Sequence, residues 1–386
     1  MKYYGRIVII DLIVKHIKYV NLSENILTLL IGGRGIASLL LYKLTSRGTE
    51  PFSQDNPLII MTGPLTGVVP AATKTIFAAR SPLSGGLGYS SVGGGFGYNL
   101  RRAGVDGLLL LGASEKPVYL YIENDKVEIN NAEDLWGRDT FTTERKLREI
   151  HGKDVGVLVI GPAGENLVKY ATITSQEGRS GGRPGLGAVM GSKKLKAVVF
   201  KGTKDIPVEN PEELKKLGSE GYSSLKSRKG YDFWVRQGTM MTVEWAQKAS
   251  VLPTYNFREG IFDYADNIGG FAMEKIKVAQ RSCPYCGMPC GNVVKDAEDE
   301  LSELDYENVA MLGSNIGLGD LRKVAVLNRL ADMYGVDTIS LGNVIAFTME
   351  ACEKKLIKEY SIESVSYTHL RAHETEADLV CRLLLE

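Results

Sequence analysis

The sequence predicts an α+β protein, with a β-sheet-rich N-terminal domain followed by a mostly α-helical domain. Three observations carry this. Short apolar runs rich in Val, Ile and Tyr recur up to residue 201, and helical periodicity takes over from Pro211. Glycine, at 43 of 386 residues, exceeds the usual share of about 7% and is clustered rather than spread.

Taken in order, residues 1–20 alternate and read as strands. Ser23 or Asn25 can cap a helix over 23–46, where Gly32-Gly-Arg-Gly35 marks a helix start or close packing, not a dinucleotide fingerprint. Strands are expected at 57–62, 107–112, 117–122 with 126–129, 155–160 and 196–201, and a helix at 140–150. Beyond a boundary near 203–210, helices are expected over 211–227, 239–249, 304–316, 320–335 and 338–354. The domains are therefore 1–205 and 206–363, with a cysteine motif in a loop of the second.

Forty-six basic residues balance forty-six acidic ones, so no net field attracts nucleic acid or an anionic membrane. The longest apolar runs are too short to span a bilayer, and the expectation is a soluble, cytoplasmic protein.

The glycine clusters come in pairs. The run Pro57–Thr62 ends in Gly63-Pro64 and is followed by a loop from Ser81 to Gly97 that holds Ser91, Gly93 and Gly94. Downstream, Val155–Ile160 ends in Gly161-Pro162 and is followed by Gly178-Arg179-Ser180-Gly181-Gly182-Arg183. This is a weak internal repeat of strand, Gly-Pro turn and glycine-rich loop. Such loops expose consecutive backbone N–H groups, and with Lys74, Arg80, Arg179 and Arg183 nearby they suit two phosphates. Plain β-turns in a sheet-rich domain explain the glycines equally well.

The segment Cys283-Pro-Tyr-Cys286-Gly-Met-Pro-Cys290 places three of five cysteines within eight residues. Its C-x2-C-x3-C spacing gives three thiolates a common centre, one ligand short of a [4Fe–4S] cluster. Zinc is the rival, although no second C-x2-C or C-x2-H follows; a structural disulfide is the third reading.

Several longer motifs stand in order: Gly104-Val-Asp106-Gly, Lys116-Pro117-Val-Tyr119, Gly161-Pro-Ala-Gly-Glu165-Asn166, Gly185-Leu-Gly-Ala-Val-Met-Gly191-Ser-Lys193-Lys-Leu-Lys-Ala197, then the three cysteines. With them the chain resembles the tungsten-containing aldehyde:ferredoxin oxidoreductase family up to about residue 363. The resemblance implies a β-sheet base for a tungsten (or molybdenum) bis-pterin cofactor, helical domains above it, and a [4Fe–4S] cluster held by Cys283, Cys286 and Cys290. It implies that Asp332-Met-Tyr-Gly335-Val-Asp337 is a pterin-binding motif, each aspartate accepting pterin N–H groups. Read without the family, the same run is a helix end with a glycine cap.

The resemblance also sets Arg179, Ser180 and Gly181, with Gly93 and Gly94, at the pterin phosphates and a bridging Mg2+. Glu307 falls near the metal as the catalytic proton handler. Lys74 stands where the family often has arginine, keeping the charge but not the planar bidentate contact. Ser91 replaces a common asparagine, and Val326 stands where some members carry a glutamate of a metal bridge between subunits, which weakens a bridged dimer while leaving a homodimer open.

The implied activity is oxidation of aldehydes to carboxylic acids, with electrons passed through the cluster to ferredoxin. Two alternatives stand beside it: an aromatic acyl-thioester reductase subunit of the same superfamily, and a non-catalytic electron-transfer or zinc-stabilised module. The family's third domain, with its second pterin motif and fourth cluster cysteine, does not follow. Residues 364–386, with His369, His373 and Cys381, resemble translated adapter sequence and are expected to be a non-native tail, the 386-residue chain by itself being inactive.

Overall fold

The computed structural model describes residues 4–357, so the expected tail lies outside the described residues. The chain forms two compact units. The first comprises residues 1–224 together with 283–287 and 332–337, and the second the remainder. Both the first part of the cysteine loop and the Asp332–Asp337 motif thus fold with the β-rich unit.

The first unit is built from two six-stranded sheets. One contains β1 (Arg6–Asp11), β2 (His16–Asn21), β3 (Leu58–Thr62), β4 (Thr75–Arg80), β5 (Leu87–Val92) and β6 (Gly107–Leu111). The other contains β7 (Val118–Glu123), β8 (Lys126–Asn131), β9 (Gly156–Val159), β10 (Ile173–Ser175), β11 (Arg179–Gly181) and β12 (Leu195–Lys201). Their strand orders are β2-β1-β6-β3-β4-β5 and β8-β7-β12-β9-β10-β11. These are one topology used twice, including the parallel pairs β1/β6 and β7/β12. The Gly63-Pro64 and Gly161-Pro162 turns follow the equivalent strands β3 and β9, so the paired glycine signals mark a duplicated unit.

Helices occupy matching places. α1 (Glu24–Leu30) and α2 (Gly33–Leu44) follow β2, α3 (Phe96–Arg102) joins β5 to β6, and α4 (Thr140–His151) follows β8. α5 (Pro162–Glu165) follows β9, and α6 (Leu186–Ser192) joins β11 to β12. The single helix expected over 23–46 is two, because Ile31 adopts φ +64° and Gly32 restarts the chain; Ser23 is the N-cap.

Strand periodicity explains the layers. Side chains alternate between faces, so Leu58, Ile60, Leu158, Ile160, Val198 and Phe200 fill one inner core, where Phe96 and Met190 of α3 and α6 also lie. Ile59 and Met61 face the α2 side, with Ile36 and Leu41. Val157, Val159 and Val199 face Leu147 of α4. Both faces of the central strands are buried, which is why these runs are apolar without a polar alternation.

Two features of the motif strings are structural here. Lys196 Nζ is bound to Glu165 and donates to Arg138 O at 2.7 Å, while Glu165 also accepts from Gly137 N–H at 2.7 Å. Burial pushes the Lys196 amine down and Glu165 opposes this. Lys193 is fully buried, and its amine donates to Gly112 O at 2.9 Å.

α7 (Pro211–Lys226) belongs to the first unit as far as Ser224. In the second unit the helices are α8 (Tyr231–Gln237), α9 (Thr242–Lys248), α10 (Ala265–Ile268), α11 (Gly270–Ile276), α12 (Tyr306–Leu312), α13 (Leu321–Tyr334), whose end from Asp332 belongs to the first unit, and α14 (Thr338–Glu353). They surround an unexpected antiparallel sheet of β13 (Lys277–Arg281), β14 (Gly291–Lys295) and β15 (Leu301–Leu304). α13 is tied to it by Asn328, which donates to Glu303 O at 3.0 Å, and by the Arg329–Asp296 pair at 2.7 Å.

α5 and α6 touch backbone to backbone: a Cβ on Gly191 would stand 1.9 Å from Gly164 O. Gly191→Ala is expected to cost roughly 3 kcal/mol, seen as a Tm lower by roughly 5–10 °C in thermal unfolding. Burial lowers the Lys193 pKa from 10.5 to about 8, while Asp55 and Asp11 oppose the shift. Below pH 8 the amine is protonated in both states and its burial is costly. Between about 8 and 10.5 the unfolded chain holds a proton that the folded chain has shed, so stability rises with pH across that window. Chemical denaturation of wild type and Lys193→Met from pH 7 to 10.5 should show wild type gaining on the order of 3 kcal/mol relative to the variant.

Candidate functional site

The site is assembled in the first unit, where the two glycine loops and two distant segments meet. Edge strands β5 and β11 approach closely: a Cβ on Gly181 would lie 3.1 Å from Ser91 O, and Gly182 N–H donates to Ser90 Oγ at 2.5 Å. A side chain at Gly181 would press the Ser91 carbonyl back by a few tenths of an ångström. Gly93-Gly94-Gly95 leaves β5 and enters α3, with Gly94 at φ +94°, a conformation L side chains avoid.

Cys283 is buried against this turn. Gly94 N–H points at its Sγ at 3.3 Å, and Arg179 Nη1 stands 3.5 Å from the same sulfur. A Cβ on Gly93 would be 2.6 Å from that sulfur, 3.7 Å from Arg179 Nη1 and 3.8 Å from Lys74 Nζ. A glycine, a thiol and two cationic side chains therefore share one small region.

The loop carrying Cys283 is fixed through Tyr285, which adopts φ +58°. Its carbonyl accepts from Ala71 N–H at 3.0 Å and from Tyr222 Oη at 2.5 Å. Its ring meets Tyr98 edge-on with centroids 5.4 Å apart, and its hydroxyl donates to Tyr98 Oη at 3.2 Å. That hydrogen bond, with burial behind it, raises the Tyr285 phenol above its ordinary pKa. Cys286 N–H closes the turn onto Cys283 O at 3.1 Å.

Asp332 and Asp337 join the second glycine loop. Ser180 Oγ donates to Asp332 Oδ1 at 3.4 Å, and Asp332 O accepts from Thr140 Oγ1 at 2.8 Å. Arg183 Nε lies 3.3 Å from Asp337 Oδ2. Thr172 N–H donates to Gly335 O at 2.8 Å, and Asp337 N–H to Tyr170 O at 3.1 Å, so the motif runs alongside the segment leading into β10.

Of the residues singled out in the sequence, Lys74, Gly93, Gly94, Arg179, Cys283 and the Ser180–Asp332 pair are gathered in this unit. Ser91 is exposed on β5, with its carbonyl beside Gly181. Cys290 belongs to the second unit, just before β14, and its carbonyl accepts from Asn292 Nδ2 at 3.2 Å. Glu307 is exposed on the first turn of α12 in the second unit. Among the described residues, no three His, Cys, Asp or Glu side chains stand close enough together to hold a metal ion, and the four cysteines form no disulfide. Sequence reasoning missed Gln176, whose amide abuts Gly94, and the Tyr98–Tyr285 pair; neither carries a spacing signal.

The donor set nevertheless fits the implied groups. N–H groups aimed at a cysteine sulfur are the contacts that tune iron–sulfur ligands. The glycine turns with adjoining cations suit phosphates, and the aspartates supply acceptors for ring N–H donors.

Comparison with known proteins agrees. Residues 7–202 match the model "Aldehyde ferredoxin oxidoreductase, N-terminal domain", and residues 216–379 match "Aldehyde ferredoxin oxidoreductase, domains 2 & 3". The chain is 36% identical to a tungsten-containing aldehyde ferredoxin oxidoreductase of Pyrococcus abyssi, covering 97% of this chain and 62% of the relative. It is 32% identical to the WOR-like subunit of an aliphatic sulfonate oxidoreductase of Pyrococcus furiosus, covering 92% and 60%. A solved active-site complex BamBC of benzoyl coenzyme A reductase, determined with 1,5-dienoyl-CoA, superposes with a TM-score of 0.84 at 27% identity, over 99% of this chain and 59% of that one. The chain thus spans about three fifths of the length of the curated relatives it matches. With the N-terminal model matched over the duplicated sheet unit and the second model following it in order, the chain belongs to the aldehyde ferredoxin oxidoreductase family of oxidoreductases.

Proposed function

We propose that this chain forms the cofactor-holding part of an enzyme that oxidises aldehydes to carboxylic acids and delivers the electrons to ferredoxin. The observation that carries the reading is the meeting of Cys283, Gly94 N–H, Arg179 and Lys74 around Gly93, next to the loop that holds Asp332 and Asp337. When bound, a tungsten or molybdenum bis-pterin would accept two electrons from substrate, and a [4Fe–4S] cluster would relay them one at a time.

The chain's own residues have separate tasks. Cys283, Cys286 and Cys290 would hold the cluster. The glycine turn at Gly93 and Gly94 on one side, and the segment Arg179-Ser180-Gly181 on the other, would flank the pterin phosphates, with Ser91 and backbone carbonyls available to Mg2+, while the Gly94 N–H itself stays on Cys283 Sγ. Asp332 and Asp337 accept pterin N–H groups, and Lys74 supplies positive charge beside the cysteine turn. Conversion of an aldehyde and water to a carboxylate releases two electrons and three protons. Glu307 Oε is the proposed acceptor of one of these protons.

The benzoyl coenzyme A reductase complex, close in fold at a TM-score of 0.84, favours a second reading in which an aromatic acyl thioester is reduced. Both are separated by assaying the whole enzyme of which this chain is the cofactor-holding part, prepared anaerobically and supplied with tungstate. Aldehyde-dependent viologen reduction, lowered at least tenfold in kcat by Glu307→Gln, is the expected result; turnover only with acyl thioesters supports the second reading, and a variant as active as wild type removes Glu307 from proton transfer.

Iron content tests the cysteine site directly. One cluster per chain is expected, falling sharply in Cys286→Ser. Gly93→Ala should also lose iron while its circular dichroism stays unchanged, since the added methyl falls 2.6 Å from Cys283 Sγ. Stoichiometric zinc without iron-dependent visible absorption would show that the cysteines serve another metal.

A further inference from the structure

The family resemblance assigns Arg179 to a phosphate, yet its guanidinium is directed at a sulfur. Arg179 Nη1 lies 3.5 Å from Cys283 Sγ, and the Gly94 backbone N–H donates to the same atom from 3.3 Å. The position of the arginine is set on both sides. β11, which begins with Arg179, is paired to β10 through Ser175 and Thr174. Its next residue, Ser180, donates to Asp332, and Gly182 donates to Ser90 Oγ. The missing side chain at Gly93 leaves the space in which sulfur and guanidinium meet, with Lys74 Nζ close to the same point.

We infer that Arg179 is a positioning residue that raises the reduction potential of the iron–sulfur cluster through an N–H···S bond to Cys283. The inference rests on reading Cys283, Cys286 and Cys290 as cluster ligands. Reduction adds one electron to a cluster and increases the negative charge on its ligand sulfurs. A positively charged donor fixed at one of these sulfurs stabilises the reduced form more than the oxidised form. Gly94 contributes a second donor that no side-chain substitution removes, so Arg179 is the adjustable half of the pair. Lysine at this position would keep the charge but lose the planar, directional N–H.

The test is a redox titration followed by electron paramagnetic resonance on wild type, Arg179→Gln and Arg179→Lys, with iron counted in each. Arg6→Gln, which removes a surface cation paired with Asp125, controls for net charge. With iron retained, Arg179→Gln is expected to lower the reduced-to-oxidised ratio at a fixed poise about tenfold, ~59 mV for one electron. Arg179→Lys should lie between, and Arg6→Gln should leave the potential in place. A second measurement needs no variant: pulsed resonance on reduced wild type carrying guanidino-15N arginine should show a 15N coupling. An unchanged potential in fully loaded Arg179→Gln, a shift matched by Arg6→Gln, or no 15N coupling overturns the role of Arg179 alone. A wild type that takes up no iron overturns the cluster reading and this inference with it.

Discussion

The close approach of strands β5 and β11 is the constraint on which the first unit's site depends. Two sheets of identical topology meet at these edges, and the distance is set by Gly181 against the Ser91 carbonyl and by the Gly182 N–H bond to Ser90. An exposed pair of edges would invite association with other strands. Here each edge strand ends in a glycine turn whose N–H is already engaged, Gly94 on Cys283 Sγ and Gly182 on Ser90 Oγ, so the two edges are tied to the site and to each other. The same contact brings Arg179 from one half to Gly93 and Gly94 of the other.

Duplication explains why positively charged and glycine-rich segments occur twice while the cysteine loop occurs once. Each half supplies a turn suited to a phosphate, and the symmetry of the sheets makes those turns neighbours. The cysteine loop and the Asp332–Asp337 motif enter from far along the chain and are held by backbone bonds: Tyr285 O to Ala71 and Tyr222, Gly335 O to Thr172. These bonds place side chains without relying on the flexible tips of the residues themselves. The Gly335 carbonyl belongs to a buried residue, and leaving it without its donor would cost about 1–3 kcal/mol.

Buried lysines serve the base rather than the chemistry. Lys196 is bound to Glu165 below the turn at Gly161, and Lys193 caps the carbonyl of Gly112. Much of the long string from Gly185 to Ala197 is therefore packing: glycines that let α5 and α6 touch, and amines that neutralise buried acceptors. The motif serves the scaffold, whereas the groups facing the site lie just upstream at Arg179 to Gly181.

The sequence alone determined the α+β class, the central strands and most long helices, because those depend on local periodicity. The runs at 58–62 and 156–159 and the helices at 140–151, 321–334 and 338–353 all carry it. It also supplied the cysteine spacing and the paired glycine turns. The short strands β5, β10 and β11 were not legible, since glycine, serine and threonine there satisfy partners far away in sequence, and β4, with the short apolar run 76–79, was also not read as a strand. The sheet β13–β15 was hidden in the same way within helical surroundings, and the break at Ile31 within an unbroken apolar pattern. Only the tertiary structure decided that Cys283 and Asp332 fold with the β-rich unit, and that Arg179 faces a sulfur. Such pairings join residues more than a hundred positions apart and are fixed by backbone hydrogen bonds and absent side chains, which leave no period in the sequence.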